Sequence, residues 1–180
     1  MSAPLPSDAE NRRPRANLLF NRVCARISKF CLVMAIIGLI SLILSVQTQV
    51  VGRYVFNDTP TWTEALALQL VLYITALGVA VGVRDAGHIG LESLVSLLPE
   101  WMRLKVEVLI HLLVAVFGAV MGWSGWMWTR LKWDELDPML GLPAGLDYLA
   151  LVIAGALIVL FSFEHILALL RDEEVIPAWH

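Results

Sequence analysis

Residues 30–51 read FCLVMAIIGLISLILSVQTQVV and carry no charged side chain between Lys29 and Arg53. As an α-helix, a segment of this length extends about 33 Å, which matches the roughly 30 Å hydrocarbon core of a bilayer. The segment is also followed by a polar stretch rather than by a small-residue cleavage site, so it is not a removable signal peptide. It therefore predicts a transmembrane helix.

Three further segments are predominantly apolar and similar in length, namely residues 62–83, 106–128 and 146–169. The whole chain is 58% hydrophobic and 16% charged, with a mean hydropathy of +0.73. Soluble domains contain about 25% charged residues, so this chain has too little polar surface to cover itself in water. The sequence predicts an all-α membrane protein with four transmembrane helices.

The overall charge and the reactive side chains exclude several classes of function. A formal net charge of -3 gives no basic footprint for a nucleic acid. Cys24 and Cys31 lie seven residues apart on one predicted helix, too far apart for an ordinary disulfide. The sequence contains no metal-ligand cluster and none of the common catalytic motifs. It therefore predicts a protein that is not an enzyme and that needs no cofactor.

The distribution of lysine and arginine predicts the orientation in the membrane. Ten basic residues fall on the side of the chain termini and three on the opposite side. Because the cytoplasmic side of a membrane protein is enriched in basic residues, both termini are predicted to be cytoplasmic. The ten are Arg12, Arg13, Arg15, Arg22, Arg26, Lys29, Arg84, Arg103, Lys105 and Arg171, and the three are Arg53, Arg130 and Lys132.

The polar segments complete the predicted domain organisation. Residues 1–16 predict a disordered cytoplasmic tail, residues 17–170 the membrane domain, and residues 171–180 a cytoplasmic C-terminal tail. The residues before span one fit either an amphipathic helix on the membrane surface or a plain extension of the span. Apolar residues at helical spacing within 89–104 predict a second amphipathic helix at the cytoplasmic interface.

Four titratable residues lie near the inner ends of spans three and four, and their role stays open. Glu107 and His111 share one helix face, and Glu164 and His165 lie in the next span. They are expected to pair at headgroup level with one another or with Lys105. A proton relay is an alternative, and so is a haem held by His111 and His165, since ionisable groups in spans invite a functional hypothesis.

Two pairs of glycines have the spacing that lets transmembrane helices approach closely. Gly78 and Gly82 lie in span two, and Gly118 and Gly122 lie in span three. Such pairs predict helix packing, either within the protein or against a partner.

Residues 52–92 carry a family resemblance and read GRYVFNDTPTWTEALALQLVLYITALGVAVGVRDAGHIGLE. An Arg-Tyr-x-Phe leaves span one, a Trp-x-Glu opens span two, and an arginine followed by Gly-His-Ile ends it. In order, spacing and topology, the chain resembles the small transmembrane subunit of tripartite ATP-independent periplasmic (TRAP) transporters, the DctQ-like family. The chain departs from the family at Ala65 and Leu68, where members often have a second glutamate and an arginine.

This resemblance implies a non-catalytic subunit in the bacterial inner membrane. It would pack against a large multi-span subunit and stabilise it during ion-gradient-driven uptake of an organic acid or similar solute. A periplasmic binding protein would deliver the solute, and the lipid bilayer would surround the complex. An alternative function, suggested by the histidines, is a b-type haem-carrying membrane anchor of an oxidoreductase.

The resemblance also implies which residues face partners. Arg53, Trp62 and Glu64 would shape the outer surface, and Gly78 and Gly82 would contact a partner helix. The expected anchors at the cytoplasmic interface are Arg84, His88, Trp101, Arg103 and Lys105.

Overall fold

The computed structural model describes residues 15–58, 60–85 and 100–170. These residues form four long helices, α1 (Arg15–Val51), α2 (Thr61–Asp85), α3 (Glu100–Leu131) and α4 (Gly145–Leu170). All four are long and apolar enough to cross a membrane. The prediction of an all-α protein with four transmembrane helices is confirmed. The N-terminal residues 1–14, His88 with most of the 89–104 segment, and residues 171–180 lie outside the described residues.

Helix α1 runs for 37 residues without interruption, and the predicted first span is its second part. No break separates the segment before Lys29 from the span, which favours the interpretation that this segment extends the span. Beyond Val51 the chain adds one π-helical turn, Gly52–Phe56. This turn ends at Asn57, whose left-handed backbone (φ 51°) is tolerated by asparagine better than by most residues.

The helices are arranged in a row rather than in a closed bundle. Helix α4 packs against α3 on one side and α2 on the other, α2 packs against α1, and α1 makes a smaller contact with α4. Among the described residues, the backbone of α3 approaches neither α1 nor α2. Helix α4 is accordingly the most buried of the four, and α1 and α3 form the two ends of the row.

Glycines allow the close approach of α3 and α4. A Cβ added to Gly155 would lie 2.6 Å from the Gly118 carbonyl oxygen and 2.6 Å from the Gly122 Cα. No side chain fits at that distance, so the two backbones touch directly in the way that small residues permit in membranes. The glycine pair Gly118/Gly122 therefore packs within the protein, which is one of the two alternatives that its spacing predicts.

Two side-chain hydrogen bonds fix the register of the helices. The Ser45 hydroxyl of α1 donates to the Thr63 carbonyl of α2 at 3.0 Å. The Tyr73 hydroxyl of α2 donates to the carbonyl of Leu146, in the first turn of α4, at 2.8 Å. Each bond joins neighbouring helices of the row, so their relative depths in the membrane are linked.

The loop between α3 and α4 is held in place by contacts among its own residues. Leu136 and Pro143 form an isolated antiparallel bridge, and the Asp137 carboxylate accepts hydrogen bonds from the amides of Met139 and Leu140. The Lys132 ammonium donates to Glu135 at 2.6 Å, and this hydrogen bond raises the pKa of Lys132. The sequence alone predicted only a loop rich in turn residues here.

Candidate functional site

A buried ion pair joins α2 to α4 near their inner ends. Arg84 lies in the last turn of α2, and its guanidinium donates to both carboxylate oxygens of Glu164, from Nε at 2.9 Å and from Nη2 at 3.0 Å. Neither side chain is exposed. The fork of the guanidinium matches the carboxylate in both position and direction, and such bidentate pairs are the strongest charge-assisted hydrogen bonds.

The remaining guanidinium contacts complete the surroundings of Arg84. Its Nη1 lies 3.3 Å from Oδ1 of Asp85, whose side chain is also buried. The guanidinium carbon lies 5.9 Å from the ring centroid of Phe161, within the range of a cation–π contact. Arg84 is thus held by two carboxylates and one aromatic ring, and its side chain is fully buried.

Two histidines extend this arrangement to α3. His165 Nε2 lies 2.9 Å from the Arg84 carbonyl oxygen, a distance that fits an Nε2–H donor. The ring of His111, from α3, stacks on the ring of His165 with centroids 4.6 Å apart and planes 6° from parallel. Both histidines are buried.

Helix α1 reaches the same site through Cys24. The buried thiol lies in hydrogen-bonding contact with the Glu164 carboxylate. All four helices therefore meet at one group of buried polar side chains, which we call the polar cluster. It consists of Cys24, Arg84, Asp85, His111, Glu164 and His165.

The polar cluster has one clear physical consequence, which is to fix the inner ends of the helices relative to one another. Removing one member of a buried ion pair costs about 3–5 kcal/mol because the other charge is left without compensation. Any movement that separated α2 from α4 would expose Arg84 and Glu164 to the same cost. The cluster favours a rigid arrangement over a moving one.

This geometry differs from two expectations from the sequence. Arg84 was expected to anchor the cytoplasmic interface, yet its side chain is 0% exposed and is enclosed by α4. The expected pairing of Glu164 with a histidine or with Lys105 at headgroup level is wrong, because Glu164 is buried and pairs with Arg84. An isolated charge is so costly in a low-dielectric interior that the two charges bury together.

The histidine geometry does not fit a haem site. A bis-histidine haem holds its iron between two imidazole nitrogens that point at each other from opposite sides of the macrocycle. His111 and His165 instead lie face to face at 4.6 Å, and a haem cannot enter between stacked rings. In addition, Nε2 of His165 is engaged with the Arg84 carbonyl oxygen.

The expected outer-surface residues are exposed but do not form one cluster. Arg53 lies on the π-helical turn, and Trp62 and Glu64 lie in the first turn of α2. Among the described residues no ion pair links Arg53 to Glu64. Glu64 instead lines a pocket of about 190 Å³ between α2 and the α3–α4 loop, together with Asp137 and Asp147.

The second glycine pair faces outward. A Cβ added to Gly78 or Gly82 would meet no atom within 4 Å. Both belong to one stripe of exposed or partly exposed residues along α2, and we call this stripe the outward face of α2. It consists of Glu64, Leu68, Val71, Thr75, Gly78 and Gly82.

The other expected inner anchors are only partly described. His88 lies outside the described residues, and Trp101 and Arg103 belong to the first turn of α3 without a described side chain. Lys105 is exposed, as an interface anchor must be.

Sequence reasoning missed Arg84 as a buried partner, although a signal was present. A carboxylate inside a span needs a counter-charge, and Glu164 lies near the C-terminal end of its span. Span two ends on the same side as this span, and its last turn carries Arg84. The neighbours of Glu164 were instead sought on the adjacent span three.

Comparison with known proteins adds independent information. A family model described as "Tripartite ATP-independent periplasmic transporters, DctQ component" matches residues 42–172. A protein of Haemophilus influenzae that is named as a TRAP transporter small permease is 28% identical over 127 residues, covering 71% of this chain and 78% of that protein. The sialic acid TRAP transporter small permease protein SiaQ of Vibrio cholerae is 27% identical over 137 residues, covering 75% and 79%.

One similar protein is not a small subunit. The sialic acid TRAP transporter permease protein SiaT of Haemophilus influenzae is 37% identical over 68 residues, which are 38% of this chain but 11% of that protein. A segment similar to part of this chain therefore lies within a much longer permease.

Proposed function

The chain belongs to the DctQ component family of tripartite ATP-independent periplasmic transporters, and from that membership we propose that it holds the large permease subunit in a fixed position during transport. It is a non-catalytic subunit of such a transporter and a multi-pass membrane protein. Small subunits of this family partner with a large permease.

The observation that carries the scaffold proposal is the polar cluster. A subunit that moves with the solute needs helices that slide or hinge. In this chain the buried Arg84–Glu164 ion pair joins α2 to α4, and so does the contact of His165 Nε2 with the Arg84 carbonyl oxygen. Direct backbone contact at Gly155 ties α3 to α4 at the same time. A body of four helices that resists deformation is suited to holding a larger, moving partner.

The outward face of α2 is the contact we propose for the large permease. Gly78 and Gly82 leave room for the backbone of a second helix, and the exposed Thr75 hydroxyl offers it a hydrogen bond. Small residues and hydroxyls are what helix–helix contacts in membranes use. The exposed faces of α1 and α3 instead present large apolar side chains such as Ile40 and Phe117, which acyl chains cover equally well.

The outer end of α1 is the contact we propose for a periplasmic solute-binding protein. Ser45 lies level with Thr63, near the start of α2, and the helix continues from there to Phe56. That continuation adds roughly 15 Å to the helix. Tyr54 and Phe56 are 81% and 73% exposed at this end. Arg53 lies on the same turn, and Trp62 and Glu64 form the lower edge of this surface.

The cellular setting belongs to the same proposal. The bias of lysine and arginine supports an inner-membrane protein with both termini in the cytoplasm. His88, Trp101, Arg103 and Lys105 would then anchor the inner surface, with the 89–104 segment in the membrane interface. The names of two relatives include sialic acid, which is an organic acid, and this supports an organic acid as the solute.

Co-purification with the large permease tests the proposed contact. We expect Gly78→Leu to reduce recovery of the large permease at least about tenfold in mild detergent, because the added side chain separates the helix backbones. Ala119→Leu, which adds bulk to the exposed side of α3, is the matched control and is expected to leave recovery unchanged.

The opposite result, with recovery lost in the α3 variant and kept in the α2 variant, would move the partner to the other end of the row. Solute uptake by vesicles that contain this chain alone would contradict the scaffold function itself. We expect uptake only when the large permease and the binding protein are both present.

A further inference from the structure

One face of α1 combines a basic end with a long apolar continuation. Arg22, Arg26 and Lys29 are exposed and follow one another at spacings of four and three residues, so they lie on the same side of the helix. We call these three residues the basic stripe. Directly beyond them on that side lie Val33, Ile37, Ile40 and Leu44, all between 45% and 62% exposed.

No described part of the chain covers this face or neutralises its positive charge. Helix α1 contains no acidic residue, and none of the three basic side chains forms an ion pair within the described residues. The protein packs against the opposite side of α1, where Cys24, Ser28 and Cys31 are buried and a Cβ on Gly38 would touch Ile74 of α2. The basic stripe is thus turned away from the other helices that the structure describes.

The depth of the basic stripe can be read from the polar cluster. Cys24 contacts Glu164, so Arg22 and Arg26 lie beside the inner ends of α2 and α4. Side chains on a helix lean towards its N-terminus, which brings the Lys29 ammonium towards the same level. The apolar continuation from Lys29 to Ile40 measures about 16 Å, close to half of a roughly 30 Å hydrocarbon core.

We propose that this face of α1 is a binding site for an anionic phospholipid of the cytoplasmic leaflet. The phosphate and any further anionic group bind the basic stripe, and one acyl chain lies along Val33, Ile37 and Ile40. The charges are complementary, and the apolar length matches one leaflet. The proposal uses the orientation given under the proposed function but does not depend on transport or on any particular partner.

Lipid binding to the purified complex tests this site. The full-length chain is purified with its large permease in mild detergent, and binding of phosphatidylglycerol and phosphatidylcholine is measured by native mass spectrometry. We expect preferential binding of phosphatidylglycerol. Because each basic residue beside an anionic surface contributes about a fivefold gain in affinity, Arg22→Gln/Arg26→Gln should weaken this binding about 30-fold.

The matched control removes the same charge at the other end of the protein. Arg130→Gln/Lys132→Gln is expected to leave phosphatidylglycerol binding unchanged, and inorganic phosphate in large excess is expected not to displace the lipid. Equal binding of the two lipids, or equal losses in the two double variants, would overturn the proposal.

Two further outcomes point to other occupants and would also overturn it. Displacement by inorganic phosphate would mean a simple anion site. Binding to the isolated chain but not to the complex would mean that the large permease covers the basic stripe. In every one of these cases recovery of the large permease remains the separate measure of the proposed function.

Discussion

The α3–α4 interface and the outward face of α2 carry the same spacing of small residues and use it differently. Between α3 and α4, Gly118 and Gly122 touch the backbone of Gly155, and a Cβ added to Gly155 would lie 2.6 Å from both. On α2, Gly78 and Gly82 have the same separation but no neighbour within 4 Å of an added Cβ. The spacing therefore shows that a helix can approach closely, and only the packing shows which helix does so.

A second difference concerns polar groups. The inner end of the row is closed by Arg84 and Glu164, which satisfy each other within the protein. On the outward face of α2, the carboxylate of Glu64 and the hydroxyl of Thr75 are left on the surface. The closed inner end of the row and the outward face of α2 thus differ in whether their polar groups find partners among the described residues.

The largest change in the stability of the isolated chain is expected from breaking the ion pair. Glu164→Leu should lower the free energy of unfolding by about 3–5 kcal/mol, because it leaves the Arg84 guanidinium buried and unpaired by this carboxylate. The double variant Arg84→Leu/Glu164→Leu should regain part of this loss, since the buried guanidinium is removed together with its bidentate partner and only Asp85 loses a counter-charge. Thermal unfolding in detergent measures both, and equal losses in the single and double variants would contradict the buried-pair explanation.

A smaller loss is expected from filling the closed glycine contact. Gly155→Leu should lower the free energy of unfolding by about 1–3 kcal/mol, because α3 must move away from α4 to admit the side chain. The same unfolding measurement applies, and cysteine cross-linking between α3 and α4 should fall in parallel. Unchanged stability would mean that the two backbones are not in contact.

A hydrogen bond between neighbouring helices should contribute less again. Tyr73→Phe removes the hydroxyl that donates to Leu146 and should cost about 1 kcal/mol, the usual net value of one such bond. Ser45→Ala, which removes the bond to Thr63, offers a comparison at the next pair of helices. A cost near that of Glu164→Leu would show that Tyr73 does more than join α2 to α4.

The smallest effect on the isolated chain is expected at the open glycine pair. Gly78→Leu should lower the free energy of unfolding by no more than about 0.5 kcal/mol, since a Cβ at this position meets no described atom within 4 Å. It is the same substitution as Gly155→Leu, so the two variants compare the open and the closed surface directly. A large loss here would indicate that the outward face of α2 is covered within the protein.

The basic stripe and the polar cluster show how far sequence reasoning reached on the polar residues. The spacing of Arg22, Arg26 and Lys29 is enough to place them on one helix face, because a fixed period places residues on a face whatever the helix packs against. Glu164 and Arg84 were not recognised as a pair, because they lie eighty residues apart and belong to helices that are not consecutive in the chain. The four transmembrane helices could be predicted from the sequence, and the polar cluster only in part.

The sequence by itself determined that the chain crosses the membrane as four helices, because a bilayer requires about twenty apolar residues per span and leaves a helix as the only structure that satisfies the backbone. It also determined the family, through residues whose order and spacing can be read without coordinates. The tertiary structure decided which helices are neighbours, which glycine pair is filled and where Arg84 finds its counter-charge. These outcomes depend on side chains that meet across the row, and lipid gives no hydrophobic preference that would let the sequence specify those meetings on its own.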